Sequence, residues 1–218
     1  MIKQACGAAL LLCPLLAGAA DGDASAWQFG GGFGVTMGGD ELGTVHVFHN
    51  GELAQSENIR AGRLFQVDAG VRLRPANSPL MLQMTFGYHY DSTNGKDLAT
   101  GTKDVSAYFV RYPLEVLPSI RFDRHSLGVG LRYDFAPTLG ASDDTSFKFK
   151  DAAGGIVEYG YSPNQQVTFG LRFVKIKYKP HDTSFDSVDG DHYGVTTKFC
   201  FLAGCARRQP RAQFIHTG

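Results

Sequence analysis

The sequence predicts an all-β protein, an eight-stranded antiparallel up-and-down transmembrane β-barrel. Three observations lead there. Apolar and polar residues alternate with period two in eight separate segments. The connections between those segments alternate long and short along the whole chain. Beyond the N-terminus, no segment holds the roughly 20 consecutive apolar residues that a membrane helix requires. A spanning strand turns only every second residue to lipid, so such a protein can cross a membrane with the slightly negative mean hydropathy seen here.

Taken in order, Ala26 to Met37 is the first strand, with Trp27, Phe29, Phe33, Val35 and Met37 on one face and Gln28, Gly30, Gly32, Gly34 and Thr36 on the other. Gly38 to Ala61 is a long polar connection with a short alternating piece, Thr44 to Phe48, and a turn at Asn50-Gly51, which predicts a hairpin extending the sheet above the membrane. Gly62 to Arg74 resumes the pattern with Phe65, Val67, Ala69, Val71 and Leu73 opposite Gln66, Asp68, Gly70, Arg72 and Arg74. Pro75 to Pro79 is a short turn. Leu80 to Tyr90 alternates cleanly, and Tyr88 and Tyr90 stand where the strand leads into the polar loop Asp91 to Lys103, the place for an interfacial aromatic girdle.

Val105 to Val116 carries Tyr108, Val110, Tyr112, Leu114 and Val116 on one face and Arg111, Pro113 and Glu115 on the other. Pro113 has no N–H to give a neighbouring strand, which predicts a bulge or a locally missing bond. Pro118 to Arg124 reads as a turn. His125 to Ala136 follows, with Leu127, Val129, Leu131, Tyr133 and Phe135 opposite Gly128, Gly130, Arg132 and Asp134, and then a long polar connection, Pro137 to Lys150. Asp151 to Tyr161 and, after the turn Ser162 to Gln165, Val167 to Phe173 form the next pair. Past Phe173 the apolar set becomes Val174, Ile176 and Tyr178 against Lys175, Lys177 and Lys179. Either a bulge near Phe173 or Val174, or emergence of the strand from the bilayer, accounts for that change. Pro180 to Gly190 is the last long loop. Asp191 to Leu202 closes the count, with Tyr193, Val195, Phe199 and Phe201 facing lipid and Lys198 facing inward toward a carboxylate, Glu158 first among them; this strand must pair with Ala26 to Met37. With the N-terminus on the periplasmic side, every long connection is extracellular and every short one periplasmic.

The ends set the compartment. Lys3, the apolar run Ala8 to Ala17 and the small residues Ala17 to Ala20 read as a secretory signal peptide over residues 1–20. Cleavage there leaves roughly 200 residues, enough for one domain, so residues 21–202 are the barrel and 203–218 a disordered or loosely held periplasmic tail. With 21 basic and 21 acidic residues the chain offers no charge with which to bind nucleic acid. Of the four cysteines, Cys6 and Cys13 leave with the signal; Cys200 and Cys205 remain, free to pair in an oxidising compartment or to stay reduced.

The inward faces bring together Asp68, Arg72, Arg111, Glu115, Arg132, Asp134, Glu158, Arg172 and Lys198. Both signs occur. In an eight-stranded barrel the lumen is just wide enough for side chains to fill, so opposite charges from facing strands can neutralise one another. The expectation is a lumenal charge network that plugs the barrel. The bland alternative is a set of solvated charges on the outside of a soluble sandwich.

The stretch Arg111-Tyr112-Pro113-Leu114-Glu115, followed by Leu127-Gly128-Val129-Gly130-Leu131-Arg132-Tyr133, together with a last strand of alternating aromatics, resembles the small bacterial outer-membrane β-barrel family. That group includes the transmembrane domain of outer membrane protein A and porin-like proteins. The similarity spans Ala26 to Phe201. It implies a Gram-negative outer-membrane location, contact with outer-membrane lipid and lipopolysaccharide, insertion by the barrel assembly machinery, which reads the last strand, and a structural, adhesive or small-solute role. The chain departs from the pattern in running on past Phe201 to Gly218.

Catalytic and metal readings are weaker. Lipid A deacylases place a Ser and a His two positions apart on one strand face, whereas His125 and Ser126 are adjacent and point to opposite faces. His89, Asp91 and Ser92 lie close in sequence at a strand end without a defined geometry. Asp143, Asp144, Asp182, Asp186, Asp189 and Asp191 could attract Ca²⁺ or lipopolysaccharide-bridging cations, but no EF-hand or zinc spacing is present. Gly30 to Gly34 precedes no helix and is no nucleotide loop. The sequence therefore predicts a monomeric, non-enzymatic outer-membrane barrel without cofactor or metal, acting through its extracellular loops. A lipid-modifying enzyme and a narrow channel for small apolar solutes are the alternatives.

Overall fold

A computed structural model describes residues 27–49, 52–75, 78–95, 105–141, 146–164, 166–181 and 186–200. Its strands, in chain order, are β1 (Trp27–Gly38), β2 (Glu41–His49), β3 (Glu52–Arg60), β4 (Leu64–Leu73), β5 (Leu80–Gly95), β6 (Val105–Phe122), β7 (His125–Ala141), β8 (Ser146–Lys148), β9 (Ala152–Tyr161), β10 (Val167–Tyr178), β11 (Val188–Asp189) and β12 (His192–Cys200). The eight long strands β1, β4, β5, β6, β7, β9, β10 and β12 each pair antiparallel with their neighbours in the chain's order. β12 then pairs with β1 from Gly30↔Cys200 to Gly38↔His192. That last ladder closes the sheet on itself and removes both edges.

Alternation dictates which way each side chain points. Along β7, Leu127, Val129, Leu131, Tyr133 and Phe135 are exposed, Leu131 by 71%, while Arg132 and Asp134 are buried. The same inversion holds for Phe29, Phe33 and Val35 on β1, Phe169, Leu171 and Phe173 on β10, and Tyr193 and Val195 on β12. A water-soluble protein does not turn a continuous belt of large apolar residues outward and bury its ions. Tyrosines crowd one rim: the rings of Tyr88 and Tyr90 stack at 6.0 Å, Tyr90 and Tyr108 at 6.5 Å, and Tyr88 meets Tyr112 at 5.7 Å. They form the aromatic girdle expected where β5 approaches its loop.

Several boundaries differ from the sequence reading, and each has a physical reason. β6 does not turn at Pro118; it runs to Phe122, and only Asp123 and Arg124 make the hairpin, with Asp123 at φ 54°. The ladder tolerates Pro118 because no β6–β7 pair falls at Leu117 or Pro118. At Pro113 the β5–β6 ladder likewise skips from Leu114 to Arg111. The bulge lies on the facing strand, where Ala136 and Pro137 are inserted opposite Arg111 and Ala136 takes φ 45°. The freed Ala136 N–H donates to Asp151 Oδ1 at 2.8 Å. β5 and β7 extend past the rim to Gly95 and Ala141, into stretches that composition marks as polar loop.

β10 carries no bulge. Its pairing with β9 runs unbroken from Phe169↔Tyr161 to Ile176↔Gly154, so Val174, Ile176 and Tyr178 stay on the inward face and Lys175, Lys177 and Lys179 on the outer one. The outer face changes from apolar to lysine and the inward face from ionic to apolar, as expected of a strand that leaves the bilayer. β2 and β3 form a separate two-stranded sheet, apart from the barrel wall. At the turn leading into it, Gly39 sits at φ 76°, and a Cβ there would collide with the backbone of Ala61 and Gly62. The hairpin folds across the barrel mouth and buries Ile59 and Ala61 on an apolar cluster of Phe109, Phe149, Ile156, Val174, Ile176 and Tyr178. The expected signal peptide, the Asn50-Gly51 turn, Asp143, Asp144, Asp182, Phe201 and the expected tail lie outside the described residues.

Candidate functional site

The lumen is the site, and the register assembles it. Glu158 on β9 lies opposite Arg172 on β10, and Glu115 on β6 opposite Arg132 on β7. Successive inward positions of neighbouring strands therefore alternate in sign. Lys198 Nζ reaches Glu158 Oε1 at 2.5 Å. Glu158 Oε2 accepts from Arg172 Nη2 at 2.7 Å, and Arg172 passes on to Glu115 through Nη1 and Nη2 at 3.2 and 3.0 Å. Glu115 Oε1 accepts from Arg132 Nη1 at 2.9 Å, and Arg132 Nε donates to Asp134 Oδ1 at 2.7 Å. Arg111 Nε stands 3.4 Å from Asp134 Oδ2 and a terminal nitrogen of Arg111 donates to the Ala61 carbonyl.

This is one continuous network of four cations and three carboxylates, and none of the seven residues exceeds 7% exposure. Such burial is tolerable only where partners replace the lost water, and here the guanidinium–carboxylate contacts do so through forked, charge-assisted bonds. Asp68 supplies the fourth negative charge without joining the chain of contacts. It accepts from Gln66 at 3.4 Å, and it flanks Gly32 opposite Lys198: a Cβ on Gly32 would meet Lys198 Cγ at 3.1 Å and Asp68 Oδ1 at 3.2 Å. Arg72 is lumenal but apart from the network, donating to Gln83 Oε1 at 3.2 Å.

The sequence reading omitted three participants. His89 Nδ1 faces Arg111 Nη2 at 2.9 Å and Arg132 Nη2 at 3.3 Å. Guanidinium groups can only donate, so the His89 ring accepts from them; Arg111 Nη2 lies within reach of both ring nitrogens, 3.1 Å from Nε2, which is also 3.0 Å from Thr36 Oγ1. Tyr178 donates its hydroxyl to Asp134 Oδ2 at 2.5 Å. Gln66 accepts from Arg132 at 3.3 Å. Their signal was present in the strand period, which puts His89 in line with Gln83 and Thr85, and Tyr178 in line with Arg172.

Above the ions lies a layer of buried rings. Phe109 lies 5.7 Å from Phe149 and 5.6 Å from Tyr178, both edge to face, and the Arg111 guanidinium sits 5.1 Å over Phe109, joining the ionic layer to the apolar one. Below the ions, toward the short turns, the lumen opens into a cavity of about 540 Å³.

The residues weighed for catalysis are dispersed. His125 lies on the outer face, its Nδ1 2.6 Å from Tyr159 Oη, while Ser126 lines the lower cavity. Asp91 accepts from the Arg60 N–H at 3.1 Å beneath the hairpin. Asp189 pairs with Lys177 at 3.2 Å, and Asp191 accepts from the Ile176 N–H at 2.9 Å. Among the described residues no three His, Cys, Asp or Glu side chains converge as metal ligands. Cys200 is disulfide-bonded, with its partner outside the described residues.

A closed antiparallel barrel with an apolar belt outside and hydrogen-bonded ions inside defines a protein that crosses a membrane with strands. The chain belongs to the outer membrane protein beta-barrel domain family, whose model matches residues 6–201, and it is a protein of the bacterial outer membrane. No curated protein matches it in sequence. Among solved structures it is similar to Ail, the attachment invasion locus protein of Yersinia pestis, crystallised in complex with the heparin analogue sucrose octasulfate, at 10% identity and a TM-score of 0.44 over 81% of this chain and 99% of that one. The fold assignment rests on the family match and on this chain's own strand pairing.

Proposed function

We propose that this is a non-enzymatic barrel whose lumen is closed, and whose role is structural or one of surface interaction through the β2–β3 hairpin and the neighbouring extracellular loops. The observation that carries the reading is the unbroken contact path from Lys198 through Glu158, Arg172, Glu115, Arg132 and Asp134 to Arg111, with the Phe109–Phe149–Tyr178 layer directly above it. A conducting pore needs a hydrated path, and the buried ion pairs and the aromatic rings above them support a closed lumen instead. Planar-bilayer recording of the pure protein tests it: the expected trace is flat, and a large steady conductance overturns closure.

Lipid contact follows from the outer wall. Lys148, Lys150, Lys175, Lys177 and Lys179 are exposed on adjoining segments just beyond the apolar belt, tied by the Lys150 N–H to Lys179 carbonyl bond of 2.8 Å. Cations at that level face the anionic groups of the outer leaflet, so we assign them to lipopolysaccharide phosphates. The barrel assembly machinery is the inserting partner, reading the closing strand β12 and its outward Tyr193, Val195 and Phe199. Lipid A of strains lacking or overproducing the protein has an unchanged profile on this reading.

A further inference from the structure

We infer that the periplasm-facing cavity binds a small polyanion, a molecule carrying two or more phosphate or carboxylate groups. The inference rests on the proposed closure above, since a sealed roof makes the cavity a blind site rather than a passage. Its volume, about 540 Å³, falls within the ~300–1,000 Å³ of small-molecule sites. The short turns form its mouth, because Asp123, Arg124, Ser162 and Asn164 line it.

Its charged lining is four arginines against the carboxylates of Asp123 and Glu158. Arg72, Arg74, Arg121 and Arg124 all line the cavity, and among the described residues none has a carboxylate within ion-pair distance. The roof carboxylate Glu158 is already taken by Arg172 and Lys198. Arg111, Arg132 and Arg172 higher up each have a carboxylate within 4 Å, whereas these four have none: Arg72 donates to Gln83 Oε1 and Arg121 to the Asp123 carbonyl, both uncharged acceptors.

Exposed arginines on a rim would be unremarkable by themselves. The deeper pair is different. Gln83 is 5% exposed, and Arg72 occupies its Oε1 at 3.2 Å, leaving Gln83 Nε2 without a partner. Arg72 Nε is also buried without one. A buried donor left unsatisfied by protein costs free energy unless water or a ligand accepts from it. Every one of these groups is a donor, so the complementary molecule is an acceptor with several anionic oxygens, and the planar guanidinium fork matches phosphate and carboxylate alike. The hydroxyls of Ser119, Ser126 and Thr168 add neutral contacts along the wall.

Calorimetric titration of the folded full-length mature protein in a zwitterionic detergent, with inorganic pyrophosphate in one arm and citrate in the other, tests this. Saturable binding is expected in at least one arm, weakening with added salt, and the tighter arm identifies phosphate or carboxylate as the preferred chemistry. Arg121→Gln with Arg124→Gln should weaken it at least tenfold while the heat-modifiable gel shift that reports a folded barrel persists; Gln83→Leu gives an independent loss should the arginine variant fail to fold. No binding up to 10 mM by the wild-type protein, or equal binding by the folded variants, overturns the site. Conductance is a separate measurement, so failure of closure and failure of binding are distinguishable.

Discussion

Lys198 Nζ lies 2.5 Å from Glu158 Oε1, although β10 stands between their two strands. The contact crosses the barrel wall's curvature and ties the closing strand to the ionic network. Glu158 also serves Arg172, so Glu158→Gln leaves two buried cations short of charge. Breaking a buried pair by removing one partner costs about 3–5 kcal/mol. Lys198→Met should cost less, because Glu158 keeps Arg172. Urea unfolding in detergent micelles checks the order; equal stability of both variants with the wild type would sink the network as a stabilising element.

Tyr178 joins the two layers, giving its hydroxyl to Asp134 Oδ2 at 2.5 Å and its ring to Phe109 at 5.6 Å. Tyr178→Phe removes only the hydrogen bond to a charged acceptor, expected at about 1.5–3 kcal/mol. Phe109→Ala opens a cavity in the apolar layer and should cost about 3–5 kcal/mol. The same unfolding measurement separates the two, and a Tyr178→Phe loss as large as that of Phe109→Ala would contradict the division.

Much of this architecture was legible because the strand period is two: it gave β12 its faces, required its pairing with β1, and set Lys198 toward Glu158. The change past Phe173 allows a bulge or emergence of the strand from the bilayer, and local periodicity cannot choose between them; the unbroken β9–β10 ladder excludes the bulge and keeps Val174, Ile176 and Tyr178 inward, where the lumen is apolar. Pro118 suggested a turn because a missing N–H is read locally, while the ladder around it decides whether the gap is tolerated. His89 lies near Asp91 and Ser92 in sequence, but its place between Arg111 and Arg132 is a consequence of three strands that no local pattern brings together. The arginines of the lower cavity that lack a carboxylate partner are equally invisible, since a missing partner is a property of the register.

The lysines beyond the belt carry their own test. Lys175→Gln, Lys177→Gln and Lys179→Gln together leave every buried contact of β10 in place, because all three side chains are on the outer face. Each basic residue near an anionic membrane surface contributes about 1 kcal/mol. Phosphate assay of the purified protein should show less co-purifying lipopolysaccharide for the triple variant at unchanged unfolding midpoint. An unchanged phosphate content would remove these lysines from lipid recognition.

The last prediction concerns how the two layers divide the work of closure. Glu115→Ala with Arg132→Ala takes out the centre of the ionic path but leaves Phe109, Phe149 and Tyr178 in contact above it. Phe109→Ala alone opens the apolar layer and leaves the ions below fully paired. Either change by itself therefore leaves one complete barrier, and bilayer recordings should remain flat for both. Combining Glu115→Ala, Arg132→Ala and Phe109→Ala removes material from both layers along one axis, and steady conductance should then appear. The gel-mobility shift on heating confirms that each variant is a folded barrel before it is recorded. Conductance from the ionic variant alone would show that the apolar layer is permeable, and silence from the folded triple variant would mean that the β2–β3 hairpin itself, through Ile59 and Ala61, is the barrier.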